Sequence, residues 1–127
     1  MIRYRYANLQ PPAPLVNVCV RCPISGNQLD MQPALIDPAA DRTVLPGKTI
    51  DALGLVEDGH LHFQGFTSEI VKLPVFLVEL RLHDFPPVRL RVAFGEREPF
   101  ILLGRDLLNV YRIVLDGPQQ FLEIVLP

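Results

Sequence analysis

Thirteen prolines and eight glycines are spread through the 127 residues, and they cut the chain into apolar runs too short for long helices. Proline inside a helix removes a hydrogen bond and clashes with the preceding turn, whereas short strands accept such punctuation at their ends. Closely spaced runs separated by turn residues predict an all-β domain. Ile2, Tyr4 and Tyr6 alternate with Arg3 and Arg5, the pattern of a half-buried strand, and Pro11-Pro12-Ala13-Pro14 then forms a stiff spacer. A hairpin follows, with strands from about Leu15 to Arg21 and from about Gln28 to Ile36 around a turn at Pro23 to Asn27. A short strand is expected at Arg42 to Leu45, then a short helix from Pro46 to Leu53 stopped by Gly54.

From His60 the β pattern resumes. A hairpin tip at Gly65 to Glu69 separates HLHFQ from the long run IVKLPVFLVELRL, and a strand at Val88 to Phe94 follows the Phe85-Pro86-Pro87 break. PFILLG is continuously apolar, as a fully buried strand would be. GRDLLNVY predicts a brief helix with Leu107 and Leu108 inward, and RIVLDGPQQFLEIVL a closing hairpin that turns at Asp-Gly-Pro.

The length suits one domain spanning residues 1–127, and 49% hydrophobic with 20% charged residues suits a globular chain. A formal charge of −2 leaves no basic footprint for nucleic acid. No apolar run approaches membrane-spanning length and MIRYRYANLQPPAPL lacks the pattern of a signal peptide, so no membrane association and a cytoplasmic location are expected. Cys19 and Cys22 form a C-x-x-C, but they lie in a valine-rich strand where residues three apart face opposite ways. They read as packing residues. His60 and His62 share a face with nothing to bring them to the cysteines, so no metal and no organic cofactor are indicated.

Two segments carry the chemistry. In ALIDPAADRTVLP, Ala34 to Pro46, an apolar strand delivers Asp37 to a tight turn, and Asp41 follows four residues later. Burying an acid at a strand end costs several kcal/mol unless it is paired or shares its proton, which favours a functional carboxylate. The plain alternative is an aspartate bonded to turn amides. In PFILLGRDLLN, Pro99 to Asn109, Gly104 permits close backbone approach and Arg105 opens a helix. The planar fork of Arg105 could clamp Asp41, or it could stand on the surface without a partner.

Taken together, these segments resemble the retropepsin-like aspartic proteases, the homodimeric family that includes the retroviral proteases. PLVNVCV is similar to the family's entry strand, and ALIDPAADRTVLP to its active-site loop, hydrophobic-Asp-Thr-Gly-Ala-Asp. HFQGFTSEIVKLPVFLVEL falls where the family carries its flap, and FILLGRDLL is close to its second signature, Gly-Arg-Asp/Asn-Leu-Leu. The resemblance implies a single-lobe, closed β-barrel with one or two short helices, acting as a homodimer on peptide or protein substrates. It makes Asp37 the catalytic aspartate, one from each chain, in an active-site loop with Pro38, Ala39 and Ala40. Asp41, Gly65, Phe66 and Thr67 would contact substrate, and Gly104 and Arg105 would support the loop, with Arg105 paired to Asp41. Val44, Leu45, Phe66 and Val75 are expected to line substrate pockets.

The family's Thr-Gly is replaced here by Pro38-Ala39. Proline has neither the hydroxyl nor the N–H through which the threonine grips the opposite loop, and Ala39 would be strained if its position required positive φ. Two functions therefore stand: an aspartic endopeptidase, and an inactive relative serving as a peptide-binding or dimerisation module.

Overall fold

The computed structural model describes residues 1–64 and 69–127. The elements run β1 (Ile2–Arg5), β2 (Leu15–Arg21), β3 (Gln28–Ile36), β4 (Val44–Pro46), α1 (Gly47–Leu53), β5 (Glu57–Gln64), β6 (Ile70–Leu82), β7 (Val88–Gly95), β8 (Ile101–Leu103), α2 (Arg105–Leu108), β9 (Arg112–Asp116) and β10 (Phe121–Val125). The proline-punctuated runs thus become strands; the expected hairpin tip at Gly65 to Glu69 lies, but for Glu69, outside the described residues.

Seven strands pair in the order β2-β3-β8-β4-β7-β6-β5, and a further β2–β6 ladder closes six of them into a barrel. β5 extends outside that closure, paired only with β6. Most ladders are antiparallel, but β3 runs parallel to β8 and β4 parallel to β7. A barrel has no free edge, which suits a chain of short strands with few other ways to satisfy their backbones.

Two prolines sit inside strands, where each would remove a ladder bond. Pro33 in β3 precedes the stretch Ala34–Ile36 that pairs with β8, and Pro74 in β6 precedes the stretch paired with β7, which begins at Val75. Both occupy positions where only one neighbouring strand needs an N–H.

Alternation fills the barrel. Val16, Val18, Val20 and Cys22 point inward, while Cys19 lies on the other face, as the strand reading requires. Both cysteines are free. The outer face carries a polar ladder: Glu79 accepts from Arg89 at 2.9 Å and from Arg21 at 3.3 Å. The Arg89 hydrogen bond chiefly holds the Glu79 carboxyl below its usual range.

α1 keeps Thr49, Ile50 and Leu53 buried and ends at Gly54, whose φ of 60° closes the helix in the left-handed conformation. A β-bulge absent from the sequence reading interrupts β3: between Val18 and Val20 the partner strand has one extra residue, and Met31 takes φ 56°.

A second sheet, β1-β10-β9, packs its inner residues Ile2, Leu122 and Ile124 into the same apolar cluster as the barrel. The two terminal strands therefore pair with each other inside one chain. Phe121 on β10 lies under the guanidinium groups of Arg3, at 4.2 Å, and Arg5, at 5.4 Å.

Tyr111, between α2 and β9, stacks on Phe85 with centroids 5.5 Å apart. Its hydroxyl is buried without a hydrogen-bond partner among the described residues, and burial raises its phenol above the ordinary value. An orphaned hydroxyl forfeits its hydration without recompense. Tyr111→Phe is therefore expected to keep or raise stability, by up to about 1 kcal/mol, in urea unfolding. The raised phenol also fixes a sign. Between the unfolded value of about 10 and the raised native one, the native state holds the proton that the unfolded state has lost, so stability falls as pH climbs through that window. That slope should flatten in the phenylalanine variant.

Candidate functional site

Parallel pairing of β3 with β8 sets Ala34, Leu35 and Ile36 beside Ile101, Leu102 and Leu103. The Asp37 amide prolongs that ladder by donating to the Leu103 carbonyl at 3.1 Å. The chain then reverses: Ala40 N–H donates to Asp37 O at 3.1 Å, with Pro38 and Ala39 at the corners. Proline's fixed φ suits the first corner. Ala39 is not among the residues with positive φ, so its methyl occupies ordinary backbone and the strain considered from sequence does not arise. Its N–H donates to Asp37 Oδ1 at 3.2 Å.

Asp37 is only half-buried and Pro38 and Ala39 are exposed, so within one chain the carboxylate is not held in an apolar pocket. It stands at the tip of a short, cross-braced turn, reachable from outside.

The bracing comes from the segment after β8. Arg105 captures three successive loop carbonyls. Its Nη1 donates to Pro38 O at 2.8 Å and to Ala39 O at 3.1 Å, and its backbone N–H donates to Ala40 O at 2.9 Å. This corrects the expected pairing with Asp41: Nη1 donates to carbonyls that the turn leaves facing it, and Asp41 stands exposed without an ion pair to Arg105.

Asp106 and Thr43, which the sequence reading passed over, form the buried part of the support. Asp106 Oδ1 and Oδ2 accept the Thr43 N–H at 3.0 and 3.1 Å, and Oδ1 also accepts the Thr43 hydroxyl at 2.7 Å. The Leu107 N–H adds a bond to Oδ1 at 2.9 Å, and Gly104 N–H donates to Thr43 Oγ1 at 3.1 Å. Thr43 is fully buried. An acid in the first turn of a short helix, beside Arg105, was the available signal for this role. Gly104 is in extended backbone, so space rather than φ requires it: a Cβ would come within 2.5 Å of the Arg42 carbonyl carbon.

The other expected residues divide. Gly65, Phe66 and Thr67 lie outside the described residues. Leu45 and Val75 are buried in the barrel, turned away from the surface, and Val44 is partly exposed. His60 and His62 share the exposed face of β5, where His60 Nε2 meets Glu57 Oε1 at 2.7 Å. Among the described residues no group of three or more His, Cys, Asp or Glu is placed to hold a metal, and no helix is long and apolar enough to cross a membrane.

Two hollows bear on the site. One of about 250 Å³ adjoins the loop and is walled by Ile36, Pro38, Leu108, Tyr111, Ile113 and Leu115. A larger one, about 530 Å³, lies on the outer barrel face around Cys19, Asp30 and Arg81 and takes no wall from the loop. The loop bearing Asp37 borders the smaller of these two hollows through Pro38.

No protein-family model and no curated protein matches this sequence. Among solved structures, the chain is similar to the EIAV protease complexed with the inhibitor HBY-793, with TM-score 0.59 and 21% identity over 81% of this chain and 90% of that one. It is also similar to a retropepsin-like aspartic protease from Rickettsia conorii, with TM-score 0.61 and 14% identity over 95% and 88% of the two chains. A third neighbour is the retroviral protease-like domain of Ddi1 from Leishmania major, with TM-score 0.50 and 13% identity over 87% of each chain. The fold is therefore that of the retropepsin-like aspartic proteases.

The clasp gives a test of the local architecture. Asp106→Ala strands a buried amide and a buried hydroxyl at once and should cost about 3 kcal/mol in chemical unfolding. Gly104→Ala, which drives a methyl into backbone, should cost about 1–3 kcal/mol. Asp41→Asn, at an exposed carboxylate, should stay within about 0.5 kcal/mol of the wild type.

Proposed function

We propose that this chain is a retropepsin-like aspartic endopeptidase that works as two identical copies, each supplying Asp37. The observation that carries this reading is the placement of Asp37: a half-exposed carboxylate at the tip of a turn braced by Gly104, Arg105 and Asp106, in a fold shared with known aspartic proteases.

One carboxylate cannot serve as both acid and base in the same step. Two set a few ångströms apart resist ionising together, so they share a proton and divide the roles. In the proposed reaction the ionised Asp37 takes a proton from a water molecule while its oxygen attacks the peptide carbonyl carbon. The protonated Asp37 of the second chain gives its proton to the carbonyl oxygen. Collapse of the tetrahedral intermediate then breaks the C–N bond, the leaving nitrogen receives a proton, and a carboxylic acid and an amine are released. Asp41, exposed beside the loop, is assigned to the substrate backbone, and Gly65, Phe66 and Thr67 are likewise assigned to substrate contact.

A second reading rests on Pro38. Exposed and lacking both hydroxyl and N–H, it offers the opposite loop no hydrogen-bond donor. If that grip decides activity, the chain is a peptide-binding or dimerisation module.

Digestion of a peptide library at mildly acid pH, with and without pepstatin, separates the two. The enzyme reading expects a bell-shaped pH profile and a loss of roughly 10⁴-fold or more in Asp37→Asn. An inert wild type whose Pro38→Thr/Ala39→Gly variant cleaves peptides would establish the module reading and locate its cause. Inertness of both would end the peptidase proposal. In either case the double variant should hold its partner about thirty-fold more tightly, from two restored bonds of about 1 kcal/mol each.

A further inference from the structure

The larger of the two hollows lies away from the Asp37 loop, on the outer face of the barrel. Its volume of about 530 Å³ falls within the roughly 300–1,000 Å³ that small-molecule sites occupy. A row of three side chains on three neighbouring strands crosses it. Cys19 on β2 has Arg81 of β6 directly opposite on one side. On the other side β3 bulges: Val18 pairs with Gln32 and Val20 with Leu29, so Asp30 and Met31 together oppose Cys19. Cation, thiol and carboxylate thus stand side by side, and all three wall the hollow. Neighbouring strands lie about 4.8 Å apart, so the row spans roughly 10 Å of backbone.

The backbone beside this row is strained. Met31 has φ 56° and His83 has φ 50°, both in the left-handed region that side chains disfavour. Two of the three non-glycine residues with positive φ among the described residues therefore wall one hollow. Strain of this kind gathers where a structure positions a ligand.

The charges in the row are set apart rather than matched. Arg81 is exposed and forms no ion pair among the described residues. Asp30 Oδ1 accepts from Gln28 Nε2 at 2.8 Å. That bond, followed by one from the Cys19 thiol, holds the Asp30 carboxyl below its usual range. Burial first and Asp30 second raise the Cys19 thiol, which stays protonated at neutral pH and donates to Asp30. An exposed anion and cation that do not touch add little to stability. They become selective for a ligand carrying both opposite charges at the same separation, because each end then forms a charge-assisted hydrogen bond.

We propose that this hollow binds short peptides with both ends free, taking the terminal carboxylate on Arg81 and the terminal ammonium on Asp30. The span sets the length. A residue extends by at most about 3.6 Å, so two or three residues bridge the row and a single amino acid does not. Cleavage at Asp37 would release molecules of this class, but binding in the hollow needs no cleavage.

Calorimetric titration of the full chain tests this, with Asp37→Asn present so that no peptide is consumed. The probes are trialanine, its N-acetyl form, its C-terminal amide and free alanine. Blocking either end should weaken binding tenfold or more. Arg81→Gln should bind trialanine and its amide alike, and Asp30→Asn should bind trialanine and its N-acetyl form alike, since each variant removes the group that reads that end. Both side chains are exposed, and the replacements keep their shapes. Bound trialanine should also slow alkylation of Cys19 several-fold, while the amide at equal concentration should not. The site is overturned if trialanine does not bind at millimolar concentration, if the blocked forms bind equally well, or if free alanine binds as tightly. Binding that neither variant alters and that leaves Cys19 unprotected also overturns it, and would leave the proposed function standing. A chain that cleaves no peptide but whose Cys19 is protected by trialanine would establish this site while ending the peptidase reading.

Discussion

The Asp106 carboxylate and the Thr43 hydroxyl form the contact on which the site's geometry depends. Thr43 is buried just after the loop, and Asp106 takes both its N–H and its hydroxyl while that hydroxyl accepts from Gly104. A charged acceptor filled by several donors is stronger than neutral backbone pairing, and its loss strands each donor. Because Gly104 has no Cβ, the segment after β8 lies directly on the backbone of Arg42. Two stretches some sixty residues apart thereby become one rigid body, and the loop bearing Asp37 inherits its position from that body rather than from its own sequence.

This division explains how Pro38-Ala39 can occupy a position that the resembling family fills with threonine and glycine. In the proposed two-chain enzyme the loop would face two separate demands, order within the chain and grip on its counterpart. Order is met locally: proline suits the turn, Ala39 needs no positive φ, and Arg105 holds three consecutive carbonyls. None of these bonds uses the groups that proline lacks. Grip cannot be met in the same way, since Pro38 presents only a carbonyl and apolar carbons, and Arg105 already occupies the carbonyl. The order of the loop within the chain thus does not depend on the groups that proline lacks.

Much of this was legible in the sequence, for physical reasons that differ by element. β2, β3 and β6 were placed to the residue because proline, glycine and polar turns bound them, and the end of α1 because Gly54 supplies the left-handed stop, although its start lies at Gly47 rather than Pro46. Asp37 stood out because an acid ending an apolar strand is costly when buried, whereas the turn leaves it half-exposed at its tip. The bulge at Met31 left no such mark, since nothing in Asp30-Met31-Gln32 announces an extra residue opposite Cys19. The partner of Arg105 was misread because opposite charge suggested Asp41, whereas the turn geometry offered nearer carbonyls. Thr43 and Asp106 were invisible because a hydrogen-bonded pair sixty-three positions apart has no local pattern. Leu45 and Val75 were expected at pockets because they are apolar and near the loop, but barrel closure turns both inward.

The position of the hollow beside Pro38 bears on both readings of function. Apolar surface gains most from burial when it is contiguous, and the walls here belong to three different elements that converge on the loop: the end of β3, α2 and β9. Hydrogen bonds between loops are directional and fix separation closely, whereas apolar packing is non-directional and fixes it loosely. A pair of chains held mainly by such a surface would bring the two Asp37 carboxylates close without defining their spacing as tightly. Catalysis by a shared proton needs that spacing, while binding of an extended peptide between the chains does not. Under either proposed reading the same hollow would serve association, and the stiffness of the two loops against each other would decide whether paired acids could act as one.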